Sequence, residues 1–563
     1  MIDLSKKEIP IMKKKAKRVF KQATEEKEKI KEIITECLRW TFPNNGTLQE
    51  TVTKAGSRSN ETQQQYDDTT VIAATQLVNY LSETLTPAGR TWARFKIDIP
   101  LEDKEQKGED EEEKAIKMIG DTVTETVFQE INKTNTTNGL YQSFENLVGA
   151  GTGAIKLIKM PLNSKKAVIT KNLPLDNLFF TEDTYENPEN VFYKHIAEPI
   201  QWLYDMFSEQ FIKLDSIMKA LNPEEKEEKS FNFVEGCILL KHGSAENEYL
   251  HFVSDEKFEH FYYSKKTKYN PFVVFRWAKN NNNFMWGSPI LLKTLSNVRT
   301  LNELVELEMK KGKASLNPPL IGIISPEALT LMGQNAFTKQ IKYEMGKVTI
   351  AAGISQLIPV ISTYDFKPAN VNAQQIRQTL YDLFNVKPLG DIESTKYRTA
   401  EEMSLRHQEF DKQFGATYGR LQNELLEPLL KTYMKILKER NKFKLSKEDL
   451  DQVVANKIEY INPLAQLEAQ EKVQNAINYK MMLSQVIDPE VFQVLFDEIE
   501  FTYWIAEEMS IPARVLNDKK EVFNQLQVMQ QQKQQYMQMQ MQQGMAGPPQ
   551  QEQAPPPGGE MVA

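Results

Sequence analysis

The stretch WGSPILLKTLSNVRTLNELVELEMKKGKASLNPPLIGI, Trp286–Ile323, constrains the fold more than any other part of the sequence. Apolar residues recur along it at helical spacing, and this pattern predicts a single helix of about 25 residues. Ser288 as the N-cap and Pro289 at the first helical position would begin the helix, and an Asn-Pro-Pro sequence would end it. The predicted apolar stripe consists of Leu291, Leu295, Val298, Val305 and Met309, with Leu301, Leu304 and Leu307 beside it.

Length and charge limit the class of protein. A chain of 563 residues, of which 40% are hydrophobic, predicts about two to four domains with packed interiors. No window approaches about 18 consecutive apolar residues, so the sequence predicts no membrane-spanning helix. The net charge of −8 argues against a protein that grips nucleic acid tightly, but it allows one that surrounds DNA without holding it. Cys37 and Cys237 are the only cysteines, which excludes a disulfide scaffold or a cysteine zinc site.

The first half of the chain mixes helical and strand patterns. Residues 11–40 predict an amphipathic helix with a Lys/Arg-rich face, and Asp68–Leu85 predicts a second helix. Short alternating segments between 165 and 280 predict strands, with a hairpin around Ser254-Asp255-Glu256. The acidic run LEDKEQKGEDEEEK predicts a solvated helix start or a loop, and we assign it no function. Together with a largely helical second half, these patterns predict an α+β, mainly α-helical fold.

Three glycines, Gly149, Gly151 and Gly153, suggest a nucleotide-binding loop at first sight. A dinucleotide loop follows a strand and opens a helix, so that the helix N-terminus meets the phosphates. Here the order is reversed, because a helical pattern precedes the glycines and a strand pattern follows them. The Lys-Ser/Thr pair of a P-loop is also missing. The glycines therefore predict a structural turn.

The second half alternates short β segments with helices. Residues 318–360 predict strands around a small helical patch, and a returning helix is predicted at about Asn370–Phe384. A loop follows at 385–398. Residues 399–436 keep a helical period for about forty residues, and Pro428 is expected to bend this helix. The remaining segments are predicted helical at 463–520, helical or disordered in the Gln/Met-rich tract 524–545, and disordered at 546–563.

No catalytic or metal-binding motif stands out. The histidines are His195, His242, His251, His260 and His407. None has the spacing of a metal site; His251 and His260 flank the predicted hairpin and could approach each other, but surface or packing roles are expected. Glu182 and Asp183 could be taken for a carboxylate pair, yet their turn-rich surroundings predict an exposed turn. The sequence therefore predicts no enzyme, cofactor or metal site, apart from any constellation of distant residues that local motifs do not reveal.

An ordered series of segments matches the pattern of one known family. These segments are TQLVNYLSETLTPAGRTWARFKI (75–97), GAGTGAIKLI (149–158), NPFVVFRW followed by WGSPILLKTLSNVRTLNELVE, RTAEEMSLRHQEF with GATYGRLQNELLEPLL (398–430), YINPLAQLEAQEKVQ (460–474) and the Gln/Met-rich end. On them the chain resembles the portal proteins, or head-to-tail connectors, of short-tailed, podovirus-type bacteriophages. Each match alone is weak. The ordered set, over about residues 1–545, carries the resemblance.

The resemblance implies a portal fold with wing, stem, clip and crown, assembled as a dodecameric ring around a central channel. A long helix with polar flanks is poorly buried in a single chain, whereas in a ring its sides pack on neighbouring copies. The implied domains are a wing at 1–285, a first stem helix at 286–316, a clip at 317–368, a second stem helix at 369–385, a tunnel loop at 386–398, a long wing helix and following segment at 399–462, a helical crown at 463–545 and a disordered Pro/Gly/Gln tail at 546–563.

The resemblance also implies a function without catalysis or cofactor. The ring would occupy one capsid vertex of the virion, after assembly in the host cytoplasm, and double-stranded DNA would pass through it during packaging and ejection. ATP hydrolysis would belong to a separate terminase. The implied partners are further copies of the chain, the major capsid and scaffolding proteins, the terminase large subunit, the tail adaptor and tail tube proteins, internal core proteins and, non-specifically, double-stranded DNA, with no membrane.

Candidate DNA-channel residues follow from the implied stem and tunnel loop. They are Lys293, Arg299, Lys310, Lys311 and Lys313 on the first stem helix, and Lys387, Lys396 and Arg398 in the loop. The hypothesis is transient, sequence-independent contact with phosphates. The alternatives are salt bridges between subunits and, for the lysines at the helix end, compensation of the helix dipole.

Two other functions stay open at this point. One is a cytosolic helical scaffold or adaptor whose Gln/Met-rich tail binds a partner. The other is a hydrolase that uses Asp and Glu residues. The native mass separates a ring from a scaffold, and an ATPase or nuclease assay addresses the hydrolase.

Overall fold

The computed structural model describes residues 8–43, 65–95, 109–161, 164–199, 230–243, 247–279, 284–316, 320–324, 348–352, 356–359, 367–386, 415–443, 458–461 and most residues between 463 and 535. The fold mixes helix and sheet, as predicted. The chain divides into two compact units. Unit 1 comprises Met1–Trp92, Glu125–Lys444 and Asn462–Leu464, and unit 2 comprises Ala93–Thr124, Leu445–Ile461 and Ala465–Ala563.

The elements alternate in type along the chain. The helices are α1 (Glu8–Thr41), α2 (Thr69–Leu85), α3 (Glu109–Lys133), α4 (Thr136–Ala150), α5 (Leu295–Leu316), α6 (Lys367–Leu383), α7 (Glu427–Glu439), α8 (Pro463–Val486) and α9 (Glu498–Glu508). The strands are β1 (Ala93–Phe95), β2 (Thr152–Lys159), β3 (Val168–Asn172), β4 (Leu178–Thr181), β5 (Asn190–Pro199), β6 (Ser230–Lys241), β7 (Glu248–Asp255), β8 (Phe261–Thr267), β9 (Phe272–Arg276), β10 (Leu320–Ile324), β11 (Val348–Ala352), β12 (Gln356–Pro359) and β13 (Ile458–Tyr460).

Unit 1 contains an antiparallel sheet in the order β4-β5-β6-β7-β8, with α1 packed on it. The helix predicted at 11–40 is thereby confirmed. Its apolar residues recur at helical spacing, and Ala16, Val19 and Ala23 pack against Phe192 and Phe252. The hairpin predicted around Ser254-Asp255-Glu256 joins β7 to β8.

A second sheet of unit 1, in the order β3-β2-β9, places the glycine segment against the start of the long helix. Gly151 ends α4 with a φ of +76°, a conformation that L side chains rarely adopt. A Cβ at Gly151 would overlap the backbone carbonyl carbon of Ser288, and one at Gly287 would overlap the carbonyl oxygen of Gly151. The predicted structural turn is confirmed, because only two glycines allow these backbones to meet.

The long helix does not begin as predicted. Pro289 has an extended backbone (φ −60°, ψ 143°) and precedes a 3-10 turn at Ile290–Thr294, after which α5 starts at Leu295. The expectation of Ser288 as N-cap and Pro289 as the first helical residue is therefore wrong. The backbone N–H of Ser288 donates to the carbonyl of Ala278 at 2.7 Å. This tertiary bond holds the entry segment extended, so the helix starts later.

Only one side of α5 is buried. Val298, Leu301 and Val305 are buried, whereas Leu307 and Met309, which the sequence placed in or beside the same stripe, are 52% and 46% exposed. α6 packs alongside α5 and α2. Met309, one turn beyond Val305 on the same side, therefore lies past the apolar cover that the described part of unit 1 supplies. Leu307 lies about 200° around the helix from Val305, on the side away from that cover.

A small sheet follows α5 in the chain. β10 pairs with β11 in parallel and with β12 antiparallel, so β10 is the central strand. This confirms the short strands predicted within 318–360. The helical patch predicted between them lies outside the described residues.

The helix around Pro428 contains a π-helical turn. Residues 415–421 are α-helical, Gln422–Leu426 forms the π turn, and α7 continues to Glu439. The N–H of Glu427 donates to the carbonyl of Gln422, five residues earlier. Pro428 has no N–H to donate. The helix therefore accommodates the proline by a local change of hydrogen-bond register, of the kind that often marks functional positions.

Unit 2 contains a two-stranded antiparallel ribbon of β1 and β13. The backbone N–H of Phe95 donates to Thr124 Oγ1 in α3 at 3.0 Å. In the C-terminal part of unit 2, the ammonium of Lys480 lies 5.4 and 5.1 Å from the ring centres of Phe496 and Phe501. The helices predicted over 463–520 are present as α8 and α9.

Among the helices in the described part of the chain, none combines the length and the apolar character needed to cross a bilayer.

Candidate functional site

Four of the candidate channel cations, including Arg299, lie exposed on the long helix and the turn before it. Lys293 is on the 3-10 turn, and Lys310 and Lys313 are near the C-terminal end of α5. Lys310 Nζ lies 2.6 Å from Glu306 Oε1, one helical turn away, and both side chains are substantially exposed. Such a pair contributes little to stability, so the ammonium stays available to an anion. Lys311, between them, is half-buried.

Arg299, a fourth candidate, is held by α1 of the same chain. Its Nε and Nη2 donate to Glu36 Oε1 and Oε2, each at 2.6 Å. The hydrogen bond from Arg299 is the main reason that the pKa of Glu36 is lowered, and the same bond raises the pKa of Arg299. Arg299 thus fastens the start of α5 to α1. The loop candidates Lys387, Lys396 and Arg398 lie outside the described residues and stay predictions.

An ion-pair network that the sequence did not reveal lies at the base of the long helix. Arg276, only 2% exposed, ends β9. Its Nη2 lies 2.6 Å from Glu424 Oε1, its backbone N–H donates to Glu424 Oε2 at 2.9 Å, and its Nη1 bonds Glu182. Lys279 adds a second cation, 3.1 Å from Glu182. Lys279 also lies 2.7 Å from the exposed carboxylate of Glu186. Each buried charge of the network therefore has an opposite charge beside it, as buried charges require.

This network corrects the interpretation of Glu182 and Asp183 as an exposed turn. Their side chains are only 12% and 3% exposed. Asp183 Oδ1 accepts backbone N–H bonds from Tyr185 and Asn187, which shapes the turn. Turn composition predicted the local conformation correctly. It could not predict that Arg276, 94 residues later, closes over Glu182.

A second buried cluster joins the two larger sheets of unit 1. Glu235 Oε2 lies 2.5 Å from Lys156 Nζ and 2.9 Å from His195 Nε2, and Oε1 lies 2.8 Å from His251 Nε2. Burial disfavours the ionised carboxylate, but Lys156 and the two histidines outweigh burial and hold the pKa of Glu235 well below its usual range. His251 therefore has Glu235 as its partner instead of the suggested His260, because β6 runs between β5 and β7.

The Glu235 cluster contains the residue types of an acid–base site, but its side chains are too buried for a substrate to reach them. The side chains of Glu235, Lys156 and His195 are 0%, 5% and 4% exposed, and that of His251 is 12% exposed. A catalytic base must come within hydrogen-bond reach of a substrate. Enclosed in this way, the four groups neutralise and satisfy one another. In the part of the chain that the structure describes, no group of three or more His, Cys, Asp or Glu residues could hold a metal ion.

Lys27 of α1 is a further buried cation. Its ammonium donates to the carbonyls of Leu175, Asp176 and Leu178, and it lies 4.1 Å from the ring centre of Phe179. Burial is the main cause that lowers the pKa of Lys27 to about 7. In the sequence, Lys27 occupies a position at which the helical spacing predicts an apolar residue, and this is a weak indication of its buried role. The three carbonyls that it binds come from a 3-10 turn at Leu175–Asn177 and from the first residue of β4.

Comparison with known proteins places this architecture in a family. The sequence model of the family described as "Bacteriophage head to tail connecting protein" matches residues 13–516. This match covers most of the chain and extends across α1 to α9. The chain therefore belongs to the family of bacteriophage head-to-tail connecting proteins.

Two solved structures show a distant likeness to the chain. The chain is similar to one described as the neck of an empty GTA particle computed with C6 symmetry, with 9% identity and a TM-score of 0.31, over 76% of this chain and 89% of that chain. A second is described as the virion of a native gene transfer agent particle, with 10% identity and a TM-score of 0.28, over 68% and 88%. At TM-scores this low, neither likeness supports a statement about the fold or the function of this chain. No curated protein matches the chain.

Proposed function

We propose that copies of this chain form the portal ring at one vertex of a phage capsid. Double-stranded DNA would enter through the ring during packaging and leave through it during ejection. The terminase motor, and afterwards the tail adaptor, would dock on the same ring. Membership of the head-to-tail connecting family supports this proposal, because a connector between head and tail has to lie on the path of the genome.

The observation that carries the proposal is the incomplete burial of α5. This helix of 22 residues is the rod that the sequence predicted, and it turns its buried side toward α1, α6 and residues 65–68. Leu307 and Met309 near its end are left about half exposed. Covering these apolar side chains with a neighbouring copy would stabilise the assembly by roughly 25 cal/mol for each Å² of apolar surface removed from water. A cyclic interface would supply that neighbour at every position of a ring.

The proposed parts of the portal follow the resemblance of the sequence to the portal family. α5 and α6 would be the stem, the β10–β12 sheet would lie in the clip that docks motor and tail adaptor, and α8 and α9 would lie in the crown. Lys293, Lys310 and Lys313 would contact passing phosphates briefly. Arg299 would do so less readily, because Glu36 already holds its guanidinium. Weak and dispersed contacts suit a channel in which DNA slides.

Native mass spectrometry with negative-stain imaging tests the ring. Twelve copies of a 65.0 kDa chain give a particle of about 780 kDa with a central hole. A monomer or a small, heterogeneous oligomer in purified protein and in virions would contradict the portal and favour the scaffold or adaptor. An ATPase and nuclease assay on the same sample is expected to find no activity.

A further inference from the structure

The outward face of α1 carries four cations in a row. Lys14, Lys17, Arg18 and Lys21 are all exposed, and we call them the basic face. At about 100° per residue these positions fall on one stripe of the helix, opposite the apolar stripe that packs on the sheet. The whole chain has a net charge of −8, so a cationic stripe is not a result of general composition.

The basic face is not needed to hold α1 in place. That role belongs to neighbouring lysines that point toward the sheet, since Lys13 donates to the carbonyl of Glu259 and Lys15 donates to that of Leu239 at 2.9 Å. The ion pair formed on the basic face is Lys21–Glu25, at 3.7 Å, with side chains 80% and 62% exposed. A pair so exposed adds little stability.

The arrangement works against the stability of the helix. Lys14–Arg18 and Lys17–Lys21 are like charges four residues apart, and Lys14–Lys17 and Arg18–Lys21 are like charges three residues apart. Each such pair costs a few tenths of a kcal/mol. The charge of Arg18 also affects the neighbouring Lys15. Burial is the main cause that lowers the pKa of Lys15, and Arg18 lowers it further. A local arrangement that costs stability without a local gain points to a ligand of opposite charge.

The chemistry of the basic face favours phosphate over a protein partner. Protein interfaces have apolar or aromatic centres and are depleted in lysine. In the described part of α1, no large apolar side chain is exposed between Lys14 and Lys21. Phosphate backbones are bound by Lys and Arg without apolar contact. From Lys14 to Lys21 the helix spans about 10 Å, a length over which duplex DNA carries about six phosphate charges.

We propose that the basic face of α1 is a docking surface for the phosphate backbone of nucleic acid, separate from the stem and loop residues of the proposed channel. Binding here is sequence-independent and depends steeply on salt. The surface would hold nucleic acid against the outside of unit 1 instead of passing it through a ring. The inference does not require that the chain forms a portal.

Fluorescence anisotropy with the full-length protein and a short labelled duplex of arbitrary sequence tests the proposal. The variant K14Q/K17Q/R18Q/K21Q is expected to bind more weakly between about 50 and 200 mM salt. The slope of log affinity against log salt should fall by about 0.9 for each phosphate that the variant no longer neutralises, or up to about 3.6 for all four. Its thermal stability should be unchanged or slightly higher, because the like-charge repulsion is removed.

The matched control is K133Q/K165Q/K171Q/K257Q, which removes the same net charge from exposed lysines elsewhere in unit 1. An equal loss of DNA binding in this control would overturn the proposal, since a general field effect would then explain it. A labelled poly-glutamate peptide is the second probe. Loss of peptide binding with unchanged duplex binding would also overturn the proposal and identify an acidic protein segment as the partner. Neither variant alters the stem lysines, so the portal proposal stands or falls separately.

Discussion

At the scale of single residues, charges decide how unit 1 is held together. Glu235, Arg276 and Lys27 are buried, and each meets its partners from other elements. Removing one member of such a group leaves the remaining charges in a poorly solvating interior, which costs about 3–5 kcal/mol. The same charges add little net stability over well-packed apolar residues of similar volume.

Replacing Glu235 with glutamine is expected to destabilise unit 1 by about 3–5 kcal/mol, because Lys156 would lose its buried counter-ion. Thermal and urea unfolding measure the effect, and Glu248→Gln, at an exposed position of β7, is the control. The lowered pKa of Glu235 also gives the wild type a pH dependence. Its contribution is present above the ordinary carboxyl pKa and is lost as the pH falls toward the lowered value. Equal stability of E235Q and wild type at neutral pH would contradict the role of the cluster.

At the scale of elements, the base of the long helix is set by a backbone contact between distant segments. Gly151 after α4 and Gly287 before the 3-10 turn approach more closely than any Cβ permits. Arg276 and Glu424 clamp the same region from β9 and the π turn. The chain segments that lie before α5 and after α6 in the sequence are therefore held together within unit 1.

Gly151→Ala is expected to prevent this approach and to reduce the yield of folded protein sharply. Its φ of +76° is unfavourable for alanine, and the new Cβ would overlap the backbone of Ser288. Gly312→Ala in α5 is the matched control. No atom from another described part of the chain lies within 4 Å of its added Cβ, and the substitution is expected to stabilise the helix by about 1 kcal/mol. Soluble yield and melting temperature report both results. Normal folding of G151A would show that the segments can separate.

At the scale of the whole molecule, the main question is what covers the exposed end of α5. The isolated chain leaves Leu307 and Met309 open to solvent, next to Lys310 and Lys313. Apolar and cationic residues side by side suit a helix that packs on neighbouring copies and also borders a wet channel.

The variant L307D/M309D is expected to yield chains of 65.0 kDa in place of the proposed ring of about 780 kDa, since assembly would bury two uncompensated charges in each copy. Ile11→Asp, at an exposed apolar position of α1, should leave the ring intact. Native mass spectrometry distinguishes the two states. Unchanged rings in the double variant would place the contact between copies elsewhere.

The predicted tunnel loop calls for a test in assembled particles. Alanine at Lys387, Lys396 and Arg398 is expected to shorten the packaged genome or to reduce its retention, because these cations would no longer contact the phosphates transiently. Alanine at the exposed Lys133, Lys165 and Lys257 is the control. Genome length is read by gel electrophoresis of virion DNA. Full-length, stably retained genomes in the loop variant would remove these residues from the mechanism.

Elements whose cause is local are predictable from the sequence alone. Periodicity predicted α1, α2 and α5, the glycine order predicted a turn, and the motif series led to the connector family that the comparison confirms. The tertiary structure alone decided which distant groups meet: Arg276 with Glu424, His251 with Glu235, and the carbonyl of Ala278 with the amide of Ser288, which delays the helix. The two kinds of feature differ in how far apart in the sequence the interacting residues lie. Helical period and turn chemistry act over a few residues, whereas burial and charge pairing depend on chain segments that only the fold brings together.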